Sequence, residues 1–323
     1  AASIEQWLTA AAFEPFRNLL ITEIEAARWN ELDNAFYTTL EFGTGGRRGR
    51  MYPVGTNVLN DRTIAESARG LADYVTRRKG PESSRSCVIA YDTRHNSRRF
   101  AEICARAMIP AGFRVFLFDG FRSTPLLSFA VRHLGCDAGI MITASHNPPS
   151  DNGFKCYAAT GGQVIPPDDS GIIECVKAAA TEQIPLADLQ DAEASGLLKM
   201  VGNEIDRAYL EAAMRVSVAS ERDLKIVYTP MHGVGETVVA ALLQHAGFRD
   251  VDVLASQRSP DGDFPNVPGH VSNPEIPKTL QAAIDQARRT AADLVIASDP
   301  DADRIGSVAL LLPGLGSVTQ AAA

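Results

Sequence analysis

Short apolar runs recur along this chain, each leading into a turn rich in Gly, Asp or Pro and then into an amphipathic stretch of helical period. Ser86–Tyr91 (SCVIAY), Phe113–Phe118 (FRVFLF) and Asp137–Ile142 (DAGIMI) have the near-continuous apolar character of strands buried on both faces. Thr39–Phe42 and Phe154–Tyr157 read as shorter strands beside turns. Asp61–Lys79 predicts a helix with Asp61 as its N-cap, and Arg98–Ile109 and Pro125–Leu134 predict two more. A second series begins near Gly202: helix Ile205–Val216, strand Lys225–Thr229, a helix through His245, strand Val251–Leu254, helix Ile276–Thr290 and strand Asp293–Ser298. Strands alternating with helices predict an α/β fold of two consecutive domains, each a mixed, mostly parallel sheet with helices on both faces. The weakly periodic, acid-containing stretch from Thr181 to Ser195 marks the change of unit, giving domains over residues 1–200 and 201–323.

Composition narrows the classes. A chain of 323 residues suits two domains, and 45% hydrophobic with 22% charged residues is an ordinary globular balance. The net charge of −8, without a long basic run, speaks against nucleic-acid binding. No stretch has the roughly 20 apolar residues of a membrane helix. The opening AASIEQWLTAAAFEPF lacks the basic and apolar regions of a signal peptide, so the expectation is a soluble, cytoplasmic protein. Cys87, Cys104, Cys136, Cys156 and Cys175 are odd in number and contain no CxxC pair, which suggests neither a disulfide framework nor a zinc site.

Ligands of open α/β sheets gather at loops leaving the carboxyl ends of strands, and four such loops here are unusually polar. SDPDADR sets Asp299, Asp301 and Asp303 at alternate positions, where a tight loop can converge their oxygens on a small hard cation such as Mg²⁺. A solvated acidic loop is the plain alternative; the aspartyl nucleophile of a dehalogenase-type phosphatase fits poorly, because that signature follows an early strand. TASHNPP places the Ser145 hydroxyl beside the His146 imidazole, and a serine can carry a phosphoryl group where a cation offsets the charge. Its plain alternative is a loop hydrogen-bonder. GTGGRRG is neither a P-loop nor a dinucleotide fingerprint, yet Arg47 and Arg48 among glycines suit an anion. Lys155 is a candidate acid/base if cationic neighbours lower its pKa. His232, in PMHGVG, reads as a loop-structuring residue. Together these loops make a set suited to phosphoryl transfer.

TASHNPPSDNGFK and SDPDADRIG, in this order and accompanied by GTGGRRGRM, YDTRHNS, STPLLSFAVR, TPMHGVG and DGDFPNVPGHVSNPE, resemble the α-D-phosphohexomutase (phosphoglucomutase/phosphomannomutase) family from about Leu40 to Gly306. The helical N-terminal extension is similar to that of the longer bacterial phosphoglucomutases. The resemblance implies an enzyme that interconverts hexose 1-phosphate and hexose 6-phosphate, glucose first, through a phosphoserine at Ser145 and a sugar bisphosphate. It implies Mg²⁺ held by Asp299, Asp301, Asp303 and phosphorylated Ser145, with glucose 1,6-bisphosphate as activator and intermediate. Lys155 is implied as acid/base with His146 assisting, and Arg47 or Arg48 with Arg304 as phosphate ligands; the family's usual Gly-x-Arg-Gly selects Arg48. Family members have four domains, so this chain is expected to carry only the first two. Mannose or pentose phosphates remain open as substrates, as does a non-catalytic metal- or phosphate-binding fragment.

Overall fold

The computed structural model describes residues 2–43, 45–218, 220–309 and 320–322. Three short helices open the chain: α1 (Ala2–Thr9), α2 (Arg17–Glu25) and α3 (Trp29–Phe36). They bury Trp7, Phe13, Leu20 and Leu32 against Val54, forming a small apolar layer of their own. The first sheet and its helices follow as β1 (Gly46–Arg50), α4 (Asp61–Lys79), β2 (Arg85–Tyr91), α5 (Ser97–Met108), β3 (Phe113–Phe118), α6 (Thr124–His133), β4 (Ala138–Ile142), β5 (Asp151–Ala158), α7 (Asp168–Ala179), α8 (Leu189–Ala194) and β6 (Leu198–Val201). Its order is β1-β5-β4-β2-β3-β6, in which β4, β2, β3 and β6 run parallel and β5 runs opposite to both its neighbours, β4 and β1.

Both faces of this sheet are covered, which is why its central strands read as unbroken apolar runs. Cys87, Ile89 and Tyr91 of β2 join the cluster under α4, α5 and α7, whereas Val88 and Ala90 pack toward α6. The long helix α4 occupies the predicted span, but its N-cap is Asn60 rather than Asp61. The Asn60 side chain accepts from the Thr63 amide, and the Thr63 hydroxyl accepts from the Asn60 amide, closing a capping box. The expected strand Thr39–Phe42 is not regular structure; its role falls to Gly46–Arg50, read from sequence as a loop. That strand forms by pairing with β5, Arg48 opposite Gly153 and Gly46 opposite Lys155.

Helix α9 (Asn203–Met214) leads to a second sheet built from β7 (Lys225–Thr229), α10 (Val239–His245), β8 (Asp250–Val253), α11 (Gln281–Thr290), β9 (Leu294–Ser298), β10 (Ile305–Ala309) and β11 (Gln320–Ala322). The order is β11-β10-β9-β7-β8, parallel across β9, β7 and β8 and antiparallel beyond. Val227, Val295 and Ala297 face α11, and Ile226, Tyr228 and Ile296 face α10. The acid-containing stretch expected to separate the units instead supplies α8, and β6 behind it completes the first sheet at Val201.

Candidate active site

The serine loop leaves β4 and the aspartate loop leaves β9, so each lies at the carboxyl end of a parallel strand, where ligands of such sheets collect. The two meet across the seam between the sheets. The Ser145 hydroxyl donates to Asp299 Oδ2 at 2.6 Å and lies 3.4 Å from His146 Nδ1. Ser145 is buried and holds φ +52°, a left-handed conformation that L-residues enter only when their surroundings hold them there. Part of that hold is local: the Ser145 amide donates to Thr143 Oγ1 at 2.8 Å.

Asp299, Asp301 and Asp303 each bring a carboxylate oxygen within 4.8 Å of the others, and the first two are fully buried. Asp299 Oδ1 accepts from the amides of Asp303 (3.2 Å) and Arg304 (3.1 Å), which curls the loop back on itself. Asp301 Oδ2 accepts from the Thr124 hydroxyl at 2.7 Å and the Lys155 ammonium at 2.9 Å; Lys155 also reaches Asp303 Oδ2 at 3.3 Å. Asp301 Oδ1 is buried without any partner. An unpaired buried carboxylate oxygen is costly, and here it belongs to a cluster of hard oxygen donors of the kind Mg²⁺ prefers. The residues present therefore fit a divalent cation.

The electrostatics agree. Burial, with Asp301 and Asp303 as like-charged neighbours, pushes the Asp299 carboxyl well above its ordinary range. Burial also acts on Asp301, but the Lys155 ammonium and the Thr124 hydroxyl outweigh it and hold Asp301 down at about 2. Lys155 departs from the expectation of a lowered pKa. Burial pulls it down, yet the carboxylates of Asp301 and Asp303 prevail and raise it. His146 is pushed down by burial and by the guanidinium groups of Arg304 and Arg48, so it is neutral and in contact with Arg304 Nη1.

The two arginines of the glycine-rich segment part company, because successive strand residues face opposite sides. Arg48 is exposed and donates to Asn147 Oδ1 at 3.2 Å, beside the serine loop. Arg47 points into the interior, where it donates to the Thr63 carbonyl (3.0 Å) and to Glu66 (3.1 Å). It is a core arginine, set apart from the phosphate position expected for it. His232 is buried with Nδ1 2.7 Å from the Ser259 carbonyl. Beside it, Gly233 is a necessity of space: a Cβ there would sit 2.5 Å from Pro300 Cα of the aspartate loop.

Two contributors escaped the sequence reading. Thr124, at the start of α6, also donates its amide to the Asp301 carbonyl at 2.9 Å. Arg94, in the loop after β2, is wholly buried and bonds the backbone of the serine loop. Both lie in stretches quoted for their resemblance, YDTRHNS and STPLLSFAVR, yet nothing in an isolated Thr or Arg announces its partners.

Residues 39–183 match the family model for phosphoglucomutase/phosphomannomutase alpha/beta/alpha domain I, and residues 207–310 match that for domain II. The chain belongs to the phosphoglucomutase/phosphomannomutase family. Among its relatives, a phosphoglucomutase of Staphylococcus epidermidis is 39% identical over 280 residues, covering 86% of this chain and 50% of that protein. The phosphopentomutase of Homo sapiens is 36% identical over 288 residues, covering 85% and 46% respectively. The crystal structure of a phosphoglucomutase/phosphomannomutase family protein from Burkholderia thailandensis shares the fold, with a TM-score of 0.67 at 24% identity, across 84% of this chain and 55% of that one. The chain thus spans about half the length of the curated family relatives it matches. Among the described residues, no helix is long and apolar enough to cross a membrane.

Proposed function

We propose that this chain carries the phosphoryl-bearing serine and the cation loop of a mutase that interconverts hexose 1-phosphate and hexose 6-phosphate, with glucose as the sugar. The observation behind this reading is the 2.6 Å bond from Ser145 Oγ to Asp299 Oδ2, which sets a hydroxyl nucleophile against a three-carboxylate cluster. Asp299, Asp301, Asp303 and an oxygen of phosphorylated Ser145 are the groups to hold Mg²⁺, which when bound offsets the charge gathering on the transferring phosphoryl group.

In the first half-reaction the bond from Ser145 Oγ to phosphorus breaks and one from a sugar hydroxyl to phosphorus forms; that hydroxyl gives up its proton and Oγ regains one. Lys155, kept charged by Asp301 and Asp303, gives Oγ its proton and takes up the one that the sugar hydroxyl releases, so the lysine ends the half-reaction as it began. Neutral His146 is fixed by Arg304, and Arg304 and Arg48 present guanidinium groups suited to a phosphate. The bisphosphate, glucose 1,6-bisphosphate in this reading, then returns its other phosphoryl group to Ser145.

The test uses the full polypeptide with Mg²⁺ and glucose 1,6-bisphosphate, followed by intact mass and fragmentation. Gain of one phosphoryl group at Ser145, and its discharge to glucose 1-phosphate, is the expected result. A protein that binds Mg²⁺ and phosphate but never labels Ser145 is a binding module, and the mutase reading falls. A pentose phosphate is the second reading, favoured by the 36% identity to a phosphopentomutase; the same assay run with ribose 1-phosphate separates the two.

A further inference from the structure

Arg94 donates to four backbone carbonyls of one loop. Its Nε and Nη2 bond the Ser145 carbonyl, Nη2 also bonds that of Asn147, and Nη1 bonds those of Pro148 (2.8 Å) and Asp151 (3.1 Å). Its side chain has no solvent exposure, and its charge faces Asp92, itself fully buried, with Nε 3.5 Å from Asp92 Oδ2. Asp92 in turn accepts from the Arg94 amide at 3.0 Å and from the Ser97 hydroxyl at 2.6 Å, fixing the root of the arginine. Such a set of planar, divergent donors is available only to a guanidinium.

The other side of Arg94 meets the second unit. Its guanidinium carbon stands 5.1 Å from the centre of the Phe264 ring, a cation–π distance in a fully buried setting. Phe264 belongs to a loop that is itself anchored on the Arg94 segment. Asp263 takes His95 Nε2 at 2.8 Å, Gly262 lies so close that a Cβ would sit 2.8 Å from the His95 amide, and the His232 carbonyl of the loop after β7 accepts both the Thr93 hydroxyl (3.0 Å) and the Asp261 amide (3.2 Å).

We infer that Arg94 is the positioning residue of the nucleophile: it clamps the left-handed backbone of Ser145 and makes that clamp depend on Phe264 of the second unit. The hydroxyl then meets the aspartate loop only when the two units are seated together. This rests on the reading of Ser145 as the phosphoryl carrier. The geometric consequence, however, concerns the loop alone. Lysine keeps the charge near Asp92 but offers a single nitrogen, so it cannot span the four carbonyls.

Arg94→Lys and Phe264→Leu are compared with wild type in the full polypeptide, by the rate at which glucose 1,6-bisphosphate labels Ser145 with Mg²⁺ present. Misplacing a nucleophile by about 1 Å costs on the order of 100-fold in rate. The expected result is a loss of that order in the maximal labelling rate for Arg94→Lys and a smaller one for Phe264→Leu, with half-saturating bisphosphate and Mg²⁺ concentrations unchanged. A merely structural role would lower the folded fraction without this split. Amide exchange of residues 143–151 is the second readout, expected at least tenfold faster in Arg94→Lys. Wild-type exchange and wild-type labelling in Arg94→Lys overturn the inference. If wild type itself takes no label, the phosphoserine reading fails, and the exchange of the loop alone decides the clamp. Should Arg94→Lys not fold, Phe264→Leu carries both readouts, and unchanged values there overturn it equally.

Discussion

Lys155 and Asp301, 146 positions apart in sequence, meet at 2.9 Å across the seam between the two sheets. The lysine comes from β5, an antiparallel strand held between β1 and β4 of the first sheet, the aspartate from the loop after a central parallel strand of the second. Their pairing sets a buried ammonium against Asp301 and Asp303, while Arg304 Nε stands 3.9 Å from the outer side of Asp303, so two cations meet three carboxylates.

Removing that charge separates two roles. In Lys155→Met the buried carboxylate of Asp301 loses its ammonium partner and only Arg304, at Asp303, still faces the cluster, so the metal-free protein is expected to lose stability. Mg²⁺ then restores more than it does in wild type, because no ammonium competes for Asp301 Oδ2. Phosphoryl transfer nevertheless falls with loss of the proton donor. Thermal unfolding with EDTA and with saturating Mg²⁺ checks this; an equal metal-induced shift in both proteins contradicts it.

Replacing Ser145 by Ala or by Gly is expected to abolish phosphoryl labelling while the fold persists. The two variants should differ in stability. At φ +52° an alanine retains the left-handed strain that glycine escapes, so Ser145→Gly is expected to be the more stable by about 1 kcal/mol in urea unfolding.

The neighbouring arginines supply a paired test. Arg47→Met strips Glu66 of one of its two buried partners, the other being Arg62, and is expected to cost about 3 kcal/mol. Arg48→Met, at an exposed position, is expected to leave the melting temperature close to wild type and to weaken sugar-phosphate saturation instead. Equal destabilisation by both changes would contradict the opposite facing of these side chains.

Thr124→Val keeps the shape of the side chain and deletes the hydroxyl that orients Asp301. Loss of such an outer hydrogen bond typically weakens a metal site by about 10–100-fold. Titration calorimetry with Mg²⁺ is the check, and a wild-type dissociation constant would remove Thr124 from the site.

Much of this was legible before any coordinates, and what was not has a physical reason. Asp61–Lys79 announces itself through period and a basic last turn, and the helix has those bounds, although the capping side chain is Asn60 and not Asp61. Gly46–Arg50 does not: two glycines and three arginines have poor strand preference, and only the partner strand β5 makes them one. Ser145 and the three aspartates are visible because nucleophile and carboxylates carry their chemistry in their residue types. Arg94 and Thr124 are ordinary polar residues until the fold supplies their partners. Arg47 and Arg48 look alike along the chain and become opposites once a strand is known to hold them.

The first sheet is complete once β6 has paired, at Val201, yet the carboxylate that receives the Ser145 hydroxyl lies roughly a hundred residues further on. At a synthesis rate of about 5–20 residues per second, the serine loop emerges from the ribosome on the order of 10 s before Asp299 exists. On the proposed reading, a nascent chain that has reached Val201 holds the serine without the carboxylate that receives its hydroxyl, so phosphoryl transfer waits on translation of the aspartate loop rather than on folding of the unit that holds Ser145.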